Sequence, residues 1–247
     1  AGNASGSHDI SVPASAGAEG ITLTTANNAP TGLDFATDAT KFGLEYHTAA
    51  DFLMDGLKAS VSFSTDNGAN AGATYKTDSH VAIGATYVTD MGDSSVTIGA
   101  GISGSEGSKT AVSVTNDDGG MHIGVSAVTG DLTVAIGFAD GHSISSDNTT
   151  NNNIQVDGEV VKAGVKYVTG DLTFNVGVTN GTGKDSATAG TAGTTEDSIN
   201  TTSASVSYAV ASGVTAILGY TDKDSSNEGT SETSDGSAWY IGANMSF

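Results

Sequence analysis

The chain has 247 residues, with 34 glycines, 8 lysines, no arginine, no cysteine, 28 acidic residues and a formal net charge of −20. That acidity argues against a nucleic acid partner, because phosphate contacts need a basic patch. No run of 18 apolar residues exists, so no transmembrane helix is expected.

Only 37% of the residues are hydrophobic, which together with the high charge suggests disorder unless the apolar residues keep in phase along strands. Residues 1–39 do not. They start without an initiator Met, the mark of a processed chain or a fragment. They hold both prolines, Pro13 and Pro30, and read as an irregular loop-like segment with a short strand at residues 21–24. From residue 40 to 247 the phase holds. Phe42, Leu44 and Tyr46 alternate with Lys41, Glu45 and His47, and a turn Thr48-Ala49-Ala50-Asp51 follows. Leu57, Ala59, Val61 and Phe63 then alternate with Lys58 and serines. After a polar loop over 66–78 come Val81, Ile83, Ala85 and Tyr87.

The same two-residue period carries Val96 to Ile102, Met121 to Ala127, Leu132 to Phe138, Val161 to Tyr167 and Leu172 to Val178. It continues through Ala204 to Val210 and Val214 to Tyr220, and ends in Trp239, Ile241, Ala243, Met245 and Phe247. Each is a strand with one apolar and one polar face, and about ten residues suffice for a tilted strand to cross a bilayer. Tyr46, Tyr87, Ala127, Tyr167, Tyr208 and Phe247 close successive runs at intervals of 41, 40, 40, 41 and 39 residues. Each period holds one short turn and one long polar segment, hence one hairpin.

The turns include the near copies Val128-Thr-Gly-Asp-Leu-Thr133 and Val168-Thr-Gly-Asp-Leu-Thr173. Gly and Asp suit tight hairpins because they tolerate positive φ or bond their own backbone. The long segments (66–78, 103–120, 140–157, 181–198 and 222–236) all fall at one end, the short turns at the other. Within 103–120, residues 110–115 also read as a strand, extending a hairpin beyond the membrane or lying in the loop. Short turns at one end and long loops at the other are the pattern of an outer-membrane barrel. The reading is therefore all-β, a transmembrane antiparallel up-and-down β-barrel with eleven strands in view. Such barrels have even strand numbers, so either residues 21–24 supply a twelfth strand or more strands precede residue 1.

Three features carry a family resemblance: the terminal Trp-Tyr-Ile-Gly-Ala-Asn-Met-Ser-Phe, the Tyr-Val-Thr-Gly-Asp-Leu-Thr turn, and Gly6-Ser-His-Asp-Ile-Ser-Val-Pro13. With these the chain resembles a general diffusion porin of the α-proteobacterial, Rhodobacter-like type, a trimeric 16-stranded family. The last motif resembles part of the inward-folded third loop that narrows such pores, so the chain matches the family from that loop to the C-terminus. The resemblance implies a water-filled outer-membrane channel for passive diffusion of small hydrophilic solutes, as a homotrimer in contact with lipid and lipopolysaccharide. The family's basic cluster on the early strands has no counterpart here.

By alternation, the pore-lining candidates are Lys41, Glu45, His47, Lys58, His80, His122, Lys162 and Lys166, and inward positions rich in Gly, Ser, Thr and Ala favour an open lumen. Asp9 and Glu19 are candidates for an acidic constriction. Tyr46, Tyr87, Tyr167, Tyr208, Trp239 and Phe247 are candidates for the membrane interface. The net charge predicts a cation preference. The loop acids, Asp222, Asp224 and Glu228 among them, are calcium candidates without EF-hand spacing, and no other cofactor is expected. Gly99-Ala-Gly-Ile-Ser-Gly104 matches a dinucleotide pattern but lies within a strand. No Gly-x-Ser-x-Gly elbow and no cysteine occur, so no enzyme is expected. Two alternatives stand beside the pore: a closed-lumen barrel acting as an adhesin or structural protein through its loops, and a soluble calcium-dependent β-protein.

Overall fold

The computed structural model describes His8 and residues 10–12, 42–65, 75–109, 115–146, 153–186, 195–227 and 232–246. Lys41, Asp9, Glu19, Glu228, Phe247 and residues 21–24 lie outside the described residues. The described strands are β1 (Phe42–His47), β2 (Leu57–Thr65), β3 (Tyr75–Met91), β4 (Ser94–Lys109), β5 (Thr115–Thr129) and β6 (Leu132–Ser146). They continue as β7 (Asn153–Thr169), β8 (Leu172–Ser186), β9 (Thr195–Ala211), β10 (Val214–Asn227) and β11 (Glu232–Met245). They form one sheet in chain order, each strand antiparallel to the next. No β1–β11 pairing occurs among the described residues.

The turns set the register. Gly92, Gly130 and Gly170 take φ of +67°, +54° and +55°, each as the first central residue of a two-residue link. That is the place where a type II′ hairpin demands glycine. In the fourth short turn Gly213, at +76°, comes second, and the ladder shifts register at Val214/Thr215. Replacing Gly130 with Ala forces an L side chain into the left-handed region and costs roughly 1–2 kcal/mol. The expected result is a lower urea midpoint for the lipid-folded protein, with Asp131→Ala shifting it less.

The first turn departs from expectation. It runs over residues 48–56, well beyond Thr48-Ala49-Ala50-Asp51. Asp51, Leu53 and Gly56 have φ of 63°, 67° and 81°. The Gly56 N–H donates to Asp51 Oδ1 (2.8 Å), Phe52 N–H to the Leu57 carbonyl (3.1 Å) and Leu57 N–H to the Met54 carbonyl (3.2 Å). A Cβ on Gly56 would lie 1.9 Å from the Val88 carbonyl oxygen.

The long polar segments are also shorter than their sequence suggests. β6 runs to Ser146 and β7 begins at Asn153, so most of 140–157 is strand. The same holds for 103–120, 181–198 and 222–236, where strands reach Lys109, Thr115, Ser186, Thr195, Asn227 and Glu232, whereas in 66–78 only the last four residues, from Tyr75, are strand. Ladder bonds come from the backbone, and once a tight turn fixes the register, pairing runs on past the last apolar residue. Beyond the membrane both faces meet water, so alternation vanishes while the strand continues.

Burial is inverted relative to a soluble protein. On β2, Val61 and Phe63 are exposed while Ser60, Ser62 and Ser64 are 2–4% exposed. On β3, Val81 and Ile83 are exposed while His80 and Ala82 are buried. Leu44, Ile123, Val134, Ile136, Val165, Val176, Leu218 and Ile241 repeat the exposed apolar phase. A soluble sandwich would bury this face, so the soluble β-protein reading is overturned. Lipid is the solvent that makes an apolar exterior favourable, and strands whose backbone groups pair with each other are tolerated there.

Aromatics border the apolar face. Tyr46, Tyr87, Tyr167 and Tyr208 share its phase, the last three toward the turn ends, where Tyr87 is paired with Leu57, Tyr167 with Leu132 and Tyr208 with Leu172. At the other border Trp239 packs on Tyr220, ring centroids 4.7 Å apart at 48°. The Tyr220 hydroxyl donates to Asp222 Oδ2 (3.1 Å). Rings against apolar surface and polar tips toward water suit an interfacial girdle.

Candidate functional site: the inner wall

The polar face is lined by small residues that leave space. Ser60, Ser62 and Ser64 on β2, Ala82 on β3, Ala135 on β6, Asn175 on β8, and Ser203 and Ser205 on β9 are all buried there. The charged candidates fall on it too. Glu45 and His47, two residues apart on β1, pair at 2.9 Å (Oε1 to Nε2). Lys58, His80, His122, Lys162 and Lys166 all have the inward phase of their strands, with His80 and His122 buried. Alternation missed Lys223, which also faces inward on β10.

Register brings several of these together. Lys58 is opposite Thr86, Thr86 opposite Gly99, and Gly99 opposite Gly124. Gly124 is opposite Gly137, and Gly137 opposite Lys162. The same rung continues through Thr179 and Thr201 to Lys223. Three lysines thus share one rung, two of them flanking three bare glycines.

Across those glycines lies His8 with residues 10–12, a strap on the inner wall. His8 sits between two hydroxyls, Nε2 2.6 Å from Ser60 Oγ and Nδ1 2.7 Å from Thr86 Oγ1. A neutral imidazole donates to one and accepts from the other, so both ring nitrogens are satisfied. Ile10 is 8% exposed. A Cβ built on Gly124 would come 2.7 Å from Ile10 Cβ, and one on Gly99 only 2.1 Å from the His8 carbonyl oxygen. Val12 Cγ2 lies 3.5 Å from the equivalent point at Gly137. The glycine run that resembles a dinucleotide loop is therefore a strand surface under a crossing chain. Alternation could not reveal this, because His8 and Thr86 are 78 residues apart in sequence.

A family model described as Gram-negative porin matches residues 2–228. The chain belongs to the Gram-negative porin family. Its place is the bacterial outer membrane. No curated protein sequence matches it. Among solved structures the porin chain is similar to the outer-membrane expressed OmpT of Vibrio cholerae, with a TM-score of 0.52 and 12% identity over 82% of this chain. The match spans 64% of the OmpT chain's length. The NanC porin also matches, with a TM-score of 0.38 and 11% identity over 83% of this chain and 98% of that one. The OmpT likeness, at this identity, speaks for the barrel fold.

That likeness corrects one expectation. The exclusion of enzymatic activity rested on missing soluble-enzyme signatures, and the match to OmpT overturns that ground. On an outer-membrane barrel any chemistry would be carried by strand faces and loops, where those signatures carry no information. The exclusion is withdrawn.

The calcium candidates Asp222 and Asp224 lie on the outward face of β10, and Asp224 opposes Asp235 on β11. Among the described residues no group of three or more His, Asp or Glu is placed to hold a metal ion.

Proposed function

We propose that the protein forms a water-filled channel through which small hydrophilic solutes and ions diffuse passively across the outer membrane. The observation that carries this reading is an inner wall lined mainly by serine, threonine and glycine, crossed by the strap of His8 and residues 10–12, in a member of the porin family. Small polar side chains hold water and leave a lumen, whereas a plug needs bulk. Residues 1–39 then act as a pore-facing segment and residues 40–247 as barrel wall. The terminal motif and the paired Val-Thr-Gly-Asp-Leu-Thr turns support the α-proteobacterial type, sixteen-stranded and trimeric, seated in lipid and lipopolysaccharide. A loop-bound calcium is not needed by this reading.

Selectivity is proposed to be weakly cationic. Among the described side chains the inward face carries Lys58, Lys162, Lys166 and Lys223 against Glu45, Asp197 and, beside a turn, Asp90. Most described acids lie elsewhere, on turns (Asp51, Asp55, Asp93, Asp131, Asp171) or facing outward (Asp140, Asp157, Glu159, Glu196, Asp222). The rims attract cations while the wall lysines oppose them, and the acidic attraction fades within about 8 Å at physiological salt. Vesicles carrying the protein should swell in isotonic arabinose or glucose faster than in a trisaccharide. Equal exclusion of all sugars and salts would overturn the channel and favour a closed barrel that acts through its loops.

A further inference from the structure

We propose that His8 is the residue that positions the strap on the inner wall, with Gly99, Gly124 and Gly137 as the bare track beneath it, so that this seat sets the pore's cross-section. The proposal rests on the channel reading. The His8 ring reaches Ser60 on β2 and Thr86 on β3, its carbonyl oxygen lies over Gly99 on β4, Ile10 covers Gly99 and Gly124, and Val12 lies beside Gly137. At Gly99 and Gly124 the strap lies so close on the wall that no side chain fits beneath it. A methyl group on Gly99 or Gly124 would stand 2.1 Å or 2.7 Å from the strap, against its own backbone oxygen and the Ile10 Cβ.

The latch is sensitive to protonation. Burial first, then the charges of His47 and His122, hold the His8 ring below the ordinary histidine value. The charged groups facing it are Glu45 and His47 on β1, Lys58 on β2, His80 on β3, His122 on β5, and Lys162 and Lys166 on β7. Among the described side chains, β4 and β6 present none on this face. All but Glu45 are basic side chains. Because the seated ring has the lower pKa, seating is at full strength above about pH 6.5 and weakens as pH falls through the lowered value, where a released strap takes up the proton more readily.

The chain has no cysteine and Ser11 is exposed, so a nitroxide on Ser11→Cys reads the strap directly in vesicles. The label is expected to be immobilised at pH 7.5 and to loosen in acid. His8→Ala should free it at every pH. His8→Gln, whose amide can serve both hydroxyls without titrating, should restore immobilisation and abolish the acid step. Gly124→Val should free the label and lower unit conductance, Ile10→Gly in the same chain should recover both, and Gly242→Val, where nothing lies within 4 Å, should do neither. A label as immobile in His8→Ala as in the parent, or an unchanged acid step in His8→Gln, overturns the proposal. The expected label pattern without any current would overturn the channel reading and leave the seat standing.

Discussion

Replacing Ile136 with Arg is expected to lower the folding stability of the protein in phospholipid bilayers by about 2–4 kcal/mol. Ile136 stands mid-way along the outward face of β6, between Leu132 near the turn and Asp140 beyond the apolar run. The residue is 53% exposed, beside Val125 on β5 and Ala163 on β7. In water such exposure would make a charge harmless; in hydrocarbon it strands the charge far from either interface. The same change at Leu132, beside the turn, should cost only about 0–1 kcal/mol. Lysine at Ser126, on the inward face of β5, should also be tolerated. Urea titrations of folding into vesicles measure all three, and equal cost at Ile136 and Ser126 would show that the apolar face does not meet lipid.

Neutralising Lys162 is expected to raise the cation preference. A unit charge about 6 Å from a passing ion is worth roughly 0.7 kcal/mol in water, about a threefold change in that ion's local concentration. Cations and anions respond oppositely, so Lys162→Gln changes the local cation-to-anion ratio by roughly tenfold at most, before screening within about 8 Å. The reversal potential in a salt gradient should move toward cations, and Lys58→Gln should move it the same way. Lys184, which faces outward and lies 3.5 Å from Glu196, is a matched comparison, and its neutralisation should move the potential far less. An equal shift from Lys184→Gln would show that charges anywhere on the chain act alike and that the wall is not the filter.

The membrane-spanning part of the fold was legible because lipid imposes a strict two-residue period, and Val61, Phe63, Ile123 and Ile136 obey it. The turns were legible where a residue's conformational freedom is diagnostic, as at Gly130 and Gly170. The first turn was not: Leu53 in the left-handed region is held by hydrogen bonds from its neighbours, and no local propensity announces it. Strand ends such as Ser146 and Thr195 were misplaced because a ladder surrounded by water needs no pattern. The inward phase of Lys58, Lys162 and Lys166 followed from alternation, but their shared register with a glycine track did not, because register depends on the lengths of several turns at once. The motif around His8 could be matched to an inward loop by resemblance. Its anchoring on Ser60 and Thr86 joins residues 52 and 78 positions away, a contact that only the folded sheet creates.

The most direct test of the channel is the current carried by the purified protein in a planar lipid bilayer under a salt gradient. Stepwise, ohmic openings with a small reversal potential on the cation side are predicted, in groups of three if the assembly is a trimer. Protein that inserts with its β-structure intact and carries no current would contradict the channel, and a reversal potential on the anion side would contradict its selectivity.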